Sequence, residues 1–164
     1  MAKLEILTPG SQNAKTAKPV PGLGRVILND LLHLAPSRKA GILARSNWAD
    51  FLLRAKSQGW GDKLSTFGLE RAARINTCTS ASKGCEAACL NVSGKGEMAG
   101  VHGYIVHRAR ALRTLRFYAD RNGFMAAIRR DIAKRLAEAT EAGVQYAVRI
   151  NGTSDLPALA SQLA

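Results

Sequence analysis

The sequence predicts an α/β fold: a layer of few strands, partial or truncated as a barrel, covered by amphipathic helices. Three observations predict it. The second half reads loop, helix, helix, strand, loop, an order that belongs to α/β architectures. Its two helical segments carry apolar residues at spacings of three and four, which buries one face of each. Between them and the polar loop NGTSDLP lies VQYAVRI (144–150), a buried strand by composition. In such folds function gathers in the loops beyond the carboxyl ends of strands, so that loop is a first candidate. A few strands cannot close a barrel. Either the sheet is small, or the chain is the front part of a longer protein.

Taken in order, KLEIL (3–7) reads as a short strand. TPGSQNAKTAKPVPGLG is irregular, because Pro19 and Pro21 block regular structure. RVILNDLLHLAP (25–36) is apolar and fits a strand or a buried helix. A helix starts near Ser46 or Asn47, covers WADFLLRAKSQ, and stops at Gly59, with a polar N-cap and a glycine C-cap. GWGDKLSTFG reads as a loop and LERAARIN as a short helix leading into the cysteines. The helix over 101–119 has Val101, Ile105, Ala109, Leu112 and Leu115 as its buried stripe. DRNG breaks it. The next helix, 124–142, has Met125, Ile128, Ile132, Leu136 and Ala139 as its stripe and ends at Gly143. There is no internal repeat. The 164 residues, 46% hydrophobic, suffice for one core, so a single domain over 1–164 is expected.

The formal net charge is +12, spread over both halves. Such a charge favours a polyanionic partner through counterion release. There is no apolar run of about 18 residues to span a membrane, and the first residues lack a secretory h-region. The expectation is a cytoplasmic protein without a membrane partner. No feature sets an oligomeric state.

All three cysteines, Cys78, Cys85 and Cys89, fall within NTCTSASKGCEAACLNVSGKGEMAG (76–100). In a reducing compartment clustered thiols are metal ligands or catalytic groups before they are disulfides. The spacing is C-x6-C-x3-C. Cys85 and Cys89 are one helical turn apart, on one face, and Cys78 reaches back from the preceding loop. Four readings stay open. Three thiolates suit an iron–sulfur cluster with one open iron, able to take the amino and carboxylate groups of S-adenosylmethionine. They also suit zinc, with His102 or His107 as fourth ligand, at a spacing that matches no compact finger. A catalytic thiol needs a base, and the histidines are His33, His102 and His107. The plain reading is three small packed thiols.

The glycine-rich SGKGEMAG precedes a helix, so backbone N–H groups around Gly94 and Gly96 are candidates for holding a phosphate or carboxylate. It is not a Walker loop, since G-K-[ST] is absent. A plain connecting turn is the other reading. The strand-end loop offers Asn151, Thr153, Ser154 and Asp155 for a ribose or substrate, or as the cap of a helix starting near Leu156. Arg110, Arg113 and Arg116 share a helix face that either tracks a phosphate backbone or pairs with neighbours such as Asp131 and Glu138.

The segments SQNAKTAK, LHLAPS, CTSASKGCEAACLNVSGKGE, RARALRTLRFYADRNGFMAAIRRDI and VRINGTSDL, in that order, resemble a phage family of the "gene product 88" type, a domain of unknown function. The resemblance covers 11–36 and 76–156. Residues 37–75 look like an insertion. The family continues past the NGTSD loop, usually with an aromatic-acidic pair, whereas Pro157 and Ala158 follow here. This implies a truncated or divergent member, the N-terminal part of a longer family domain, in the host cytoplasm if phage-encoded.

More distantly, CTSASKGCEAAC and GTSDL are similar to segments of phage proteins that look like radical S-adenosylmethionine barrels. That similarity implies cluster ligation by Cys78, Cys85 and Cys89, and cofactor or substrate contacts from Ser154 and Asp155. The leading expectation is a metal-binding protein with an iron–sulfur cluster and S-adenosylmethionine in a half barrel, acting on a nucleotide or nucleic acid. The alternatives are a non-enzymatic zinc module that binds nucleic acid, and a metal-free, inactive remnant whose cysteines pack.

Overall fold

The computed structural model describes residues 8–9, 27–35, 38–87 and 101–149. Along them lie β1 (Thr8–Pro9), β2 (Ile27–Leu31), α1 (Lys39–Ser57), α2 (Gly61–Phe67), α3 (Leu69–Ala72), α4 (Lys83–Ala87), α5 (Val101–Ala119), α6 (Arg121–Glu141) and β3 (Gln145–Arg149). The helices are 19, 7, 4, 5, 19 and 21 residues long, and the strands 2, 5 and 5. The protein is therefore mostly helical, which overturns the expected barrel-like α/β layer. The strands make one small sheet in the order β1-β2-β3, and no barrel forms among the described residues. The physical reason is periodicity. Most of the apolar sequence repeats every three or four residues, and helices pack on helices to bury it.

β1 is antiparallel to β2, with Thr8 opposite Leu31. β3 is parallel to β2, from Ile27 opposite Gln145 to Leu31 opposite Arg149. The predicted KLEIL strand lies outside the described residues. The pairing falls instead on Thr8–Pro9, within the stretch expected to be irregular, and proline is tolerated there because β1 is an edge strand. β3 is not the buried strand expected. Tyr146 and Val148 are half-buried, while Gln145, Ala147 and Arg149 are exposed, so one face meets α6 and the other is open.

α1 begins at Lys39, well before Ser46. The polar pair read as an N-cap is instead a kink. Asn47 leaves helical geometry (φ −133°, ψ 22°), and its side-chain amide donates to the Leu43 carbonyl at 3.1 Å and to Ser46 Oγ at 2.8 Å. Short polar side chains compete with the helix for backbone groups, so the same chemistry serves a start or a bend. α1 buries Ala40, Gly41, Ala44, Phe51 and Ala55. Gly41 is where the backbones meet most closely: a Cβ there would stand 2.5 Å from the Ala73 carbonyl oxygen.

GWGDKLSTFG, expected as a loop, holds α2. Trp60 and Leu64 are buried and Phe67 packs beside them, at spacings of four and three. Gly59 and Gly68, at φ 79° and 80°, turn the chain into and out of it. At the other long junction the expected DRNG break shrinks to one residue. Asp120, 7% exposed, accepts the Gly123 N–H at 3.2 Å and Lys63 Nζ at 2.6 Å, so it caps α6 and ties it to α2. The predicted stripes hold in part. Leu112, Leu115, Met125, Ile128 and Ala139 are buried, but Ile105 is 56% and Leu136 52% exposed, because the helices outrun the core.

There are two cores among the described residues. One joins α1, α2, α3 and α5 through Phe51, Trp60, Leu64 and Leu115. The other joins residues 32–34, α5 and α6 through Leu32, Leu34, Phe117, Phe124 and Ile128, with the Phe117 and Phe124 rings edge-on at 5.5 Å. α5 serves both, so its polar positions are placed from two sides.

Candidate functional site

β2 and β3 run parallel and finish level, at Leu31 and Arg149. The next residue continues the pairing: the Leu32 N–H donates to the Arg149 carbonyl at 2.9 Å. The chain then leaves as Leu32-His33-Leu34-Ala35. Leu32 and Leu34 are fully buried in the second core, so alternation turns His33 to the other side, where it is half-buried.

Two buried hydroxyls hold this segment. The Ala35 N–H donates to Thr114 Oγ1 at 2.8 Å, and Thr77 Oγ1 donates to the Ala35 carbonyl at 2.6 Å. Thr114 Oγ1 also donates to the Arg110 carbonyl, one turn back on α5, at 2.9 Å. Both polar groups of Ala35 are thus satisfied without a strand partner, as a buried backbone requires. The two bonds also bring α5 and the start of the cysteine segment against the end of β2.

His33 is the centre of this arrangement. Burial lowers its pKa from 6.5 to about 4, helped by the positive charges of Arg110, Arg113 and Arg149. Its Nδ1 is buried and meets no hydrogen-bond partner among the described residues. Burial also lowers the pKa of Arg110, and that of Arg113 with help from Arg110, yet both stay cationic at neutral pH. Three cations from two elements therefore act on one neutral imidazole at the carboxyl end of a parallel strand pair.

The arginines predicted to share a face are divided by the fold. Arg110 and Arg113 act on His33. Arg116 lies over the Trp60 ring, 5.9 Å from its centre, and feels Asp120 and Asp131. All three are half-buried rather than spread on an open face. Their neighbour Arg108 pairs with Asp50 and lies over Phe51. Burial alone would raise the Asp50 carboxyl, but its bonds to Arg108 and Arg54 hold it below the usual range.

The cysteine segment begins beside this cluster. Cys78 follows Thr77 directly, is half-buried, and has its N–H bonded to Asn76 Oδ1 at 3.0 Å. It is close enough to Tyr118 to add to the raised pKa that burial gives that phenol. Cys85 is exposed on α4, with its N–H on Ser82 Oγ at 3.2 Å, an N-capping bond. Both are thiols. Cys89, Gly94, Gly96, Asn151, Thr153, Ser154 and Asp155 lie outside the described residues, as does the His102 side chain. Among the described residues no three His, Cys, Asp or Glu side chains gather as a metal site. The described chain contributes two of the three thiols, Cys78 and Cys85.

Arg149 is absent from the candidates read from the sequence, and His33 enters there as a base for a catalytic thiol. The sequence holds one signal for Arg149: it is the charged residue in the strand read over 144–150, next to a polar loop.

A small sheet edged by long helices, with a basic cluster at its strand ends, defines the class of molecule. Residues 37–162 match the model of the family described as gene product 88, and the chain belongs to that phage family. The match includes 37–75, the stretch that looked like an insertion and that supplies α1, α2 and α3 to the first core. Among curated proteins nothing matches the chain, and among solved structures nothing does. The similarity to radical S-adenosylmethionine proteins gains nothing from the comparisons, and the barrel it implied is absent from the described fold. No described helix is long and apolar enough to cross a membrane.

Proposed function

We propose that the protein binds a phosphate-bearing partner, a nucleotide or a nucleic acid, through the cluster of Arg110, Arg113, Arg149 and His33. The observation that carries this reading is the packing of α5 and the end of β3 around the His33 segment: the Leu32 N–H bonds the Arg149 carbonyl at 2.9 Å, and Thr114, next to Arg113, bonds the Ala35 N–H at 2.8 Å. The positive charges of Arg110, Arg113 and Arg149 act there on His33. Guanidinium groups suit phosphate because their donors pair with its oxygens two at a time. The net charge of +12 draws a polyanion from a distance. The test is binding of a short single-stranded oligonucleotide across a salt series, with Arg113→Gln beside the unaltered chain. Loss of one phosphate contact should weaken binding about 5- to 100-fold and reduce the slope of log K against log salt by about 1. Equal affinity and equal slope for both proteins would refute the reading.

A second reading is a metal held by Cys78, Cys85 and Cys89. It is supported by Cys78 and Cys85 both being thiols and by the exposure of Cys85. Protein purified without oxygen would then carry iron, with a broad visible absorption band, or about one zinc without colour. Cys85→Ala would lose it. Metal-free protein would end this reading and leave the first untouched.

A further inference from the structure

We infer that the cluster around His33 takes a terminal phosphate monoester, the end group of a nucleotide or of a phosphorylated strand, rather than an internal phosphodiester. This rests on the phosphate-binding reading above and specifies the group that enters the site.

Three features lead there. The first is how the charge is distributed. A protein that tracks internal diesters meets one negative charge per nucleotide, so its cations are spread along an open groove. Here Arg110 and Arg113 come from one helix and Arg149 from the neighbouring strand end, and all act on the same imidazole. Arg116, which would extend the row along α5, is turned instead to Trp60 and Asp120. Concentrated positive charge matches a group that itself concentrates charge. A phosphate monoester carries about −1.5 to −2 at neutral pH and three terminal oxygens; an internal diester carries one charge and two.

The second feature is position. The cluster stands just beyond the carboxyl ends of parallel β2 and β3, where the Leu32 N–H bonds the Arg149 carbonyl at 2.9 Å and His33 follows. The segment bearing His33 is fixed there by Thr77 and Thr114, whose hydroxyls are committed to Ala35. The Arg149 carbonyl accepts the Leu32 N–H and the Arg110 carbonyl accepts Thr114 Oγ1, so the backbones that carry two of the cations are tied to the segment that carries His33.

The third feature is His33 itself. Its Nδ1 is buried and meets no partner among the described residues. A buried polar atom left in that state has a cost. A dianion placed among the three arginines offers an acceptor, and the imidazole that gains a proton becomes a donor on both nitrogens.

The experiment compares one single-stranded oligonucleotide with a 5′-phosphate or a 5′-hydroxyl, by fluorescence anisotropy at fixed salt on the full chain. A nucleoside monophosphate and the plain nucleoside serve as competitors. The phosphorylated strand should bind about tenfold or more tightly, and Arg149→Gln should remove that increment. Arg149 is exposed, so its replacement leaves both cores intact, with circular dichroism as the control. Competition by the monophosphate but not the nucleoside identifies a free nucleotide as a sufficient source. Preference for the phosphorylated strand without such competition identifies the strand end, and either result supports the inference. Equal binding of both strands, equally weakened by Arg149→Gln, overturns the inference and leaves the phosphate-binding reading standing. No effect of Arg149→Gln or Arg113→Gln on either strand overturns both.

Discussion

His33 couples the stability of the protein to pH. Its folded pKa of about 4 lies below the 6.5 of an unburied imidazole, first because of burial and then because of Arg110, Arg113 and Arg149. Between those two values the unfolded chain binds more protons than the folded one, so stability rises with pH across that window. Acidification from about 6.5 should lower the urea midpoint steadily and level off near pH 4. His33→Gln, which cannot take the proton, should flatten that segment of the profile. An unchanged profile in the variant would show that another group carries the dependence. The pH effect on binding has the opposite sign: a dianion beside the imidazole favours its protonated form, so sulfate, which does not titrate in this range, should bind more tightly as pH falls toward 4.

At the level of elements, close approach and capping explain most of the departures from simple periodicity. α2 has helical spacing in Trp60, Leu64 and Phe67, yet three glycines in ten residues, GWGDKLSTFG, read as a loop. Two of those glycines are boundaries at positive φ, not breaks inside an element. Ser46 and Asn47 show the converse: good capping residues that sit at a bend within α1, because Ala40, Gly41 and Ala44 are buried on the turns before them. Gly41→Ala tests how tight that packing is. Alanine is favoured over glycine inside a helix by about 1 kcal/mol, but the new Cβ would stand 2.5 Å from the Ala73 carbonyl oxygen. The clash should win, with a net loss of about 1–3 kcal/mol in urea unfolding, as overpacked sites lose. A stabilised variant would mean that α1 and the end of α3 separate at little cost.

On the scale of the whole molecule, composition and local pattern determine a good deal. The two long helices after the cysteines, the short helix before them and a strand near 145–149 are all legible, because each has a periodic apolar signal of its own. The family is legible too, and three of the five short segments that carry the resemblance fall within the matched residues 37–162. The basic charge is legible as well, and the phosphate-bearing partner we propose rests on it in part. Fold class is a different matter. Whether helices cover a sheet or pack on one another depends on how much strand there is to cover, and β2 alone, within RVILNDLLHLAP, was open to either reading. Only the tertiary structure decides that β2 and β3, which end at Leu31 and begin at Gln145, lie side by side. The same holds for the site. Arg110, Arg113 and Arg116 look alike on a helix face, and the packing of α5 against both cores sets their surroundings: the charges of Arg110 and Arg113 act on His33, and Arg116 lies over Trp60. Sequence spacing reports which residues share an element. Which charges share a dielectric environment is set by contacts across elements, and no local signal encodes them.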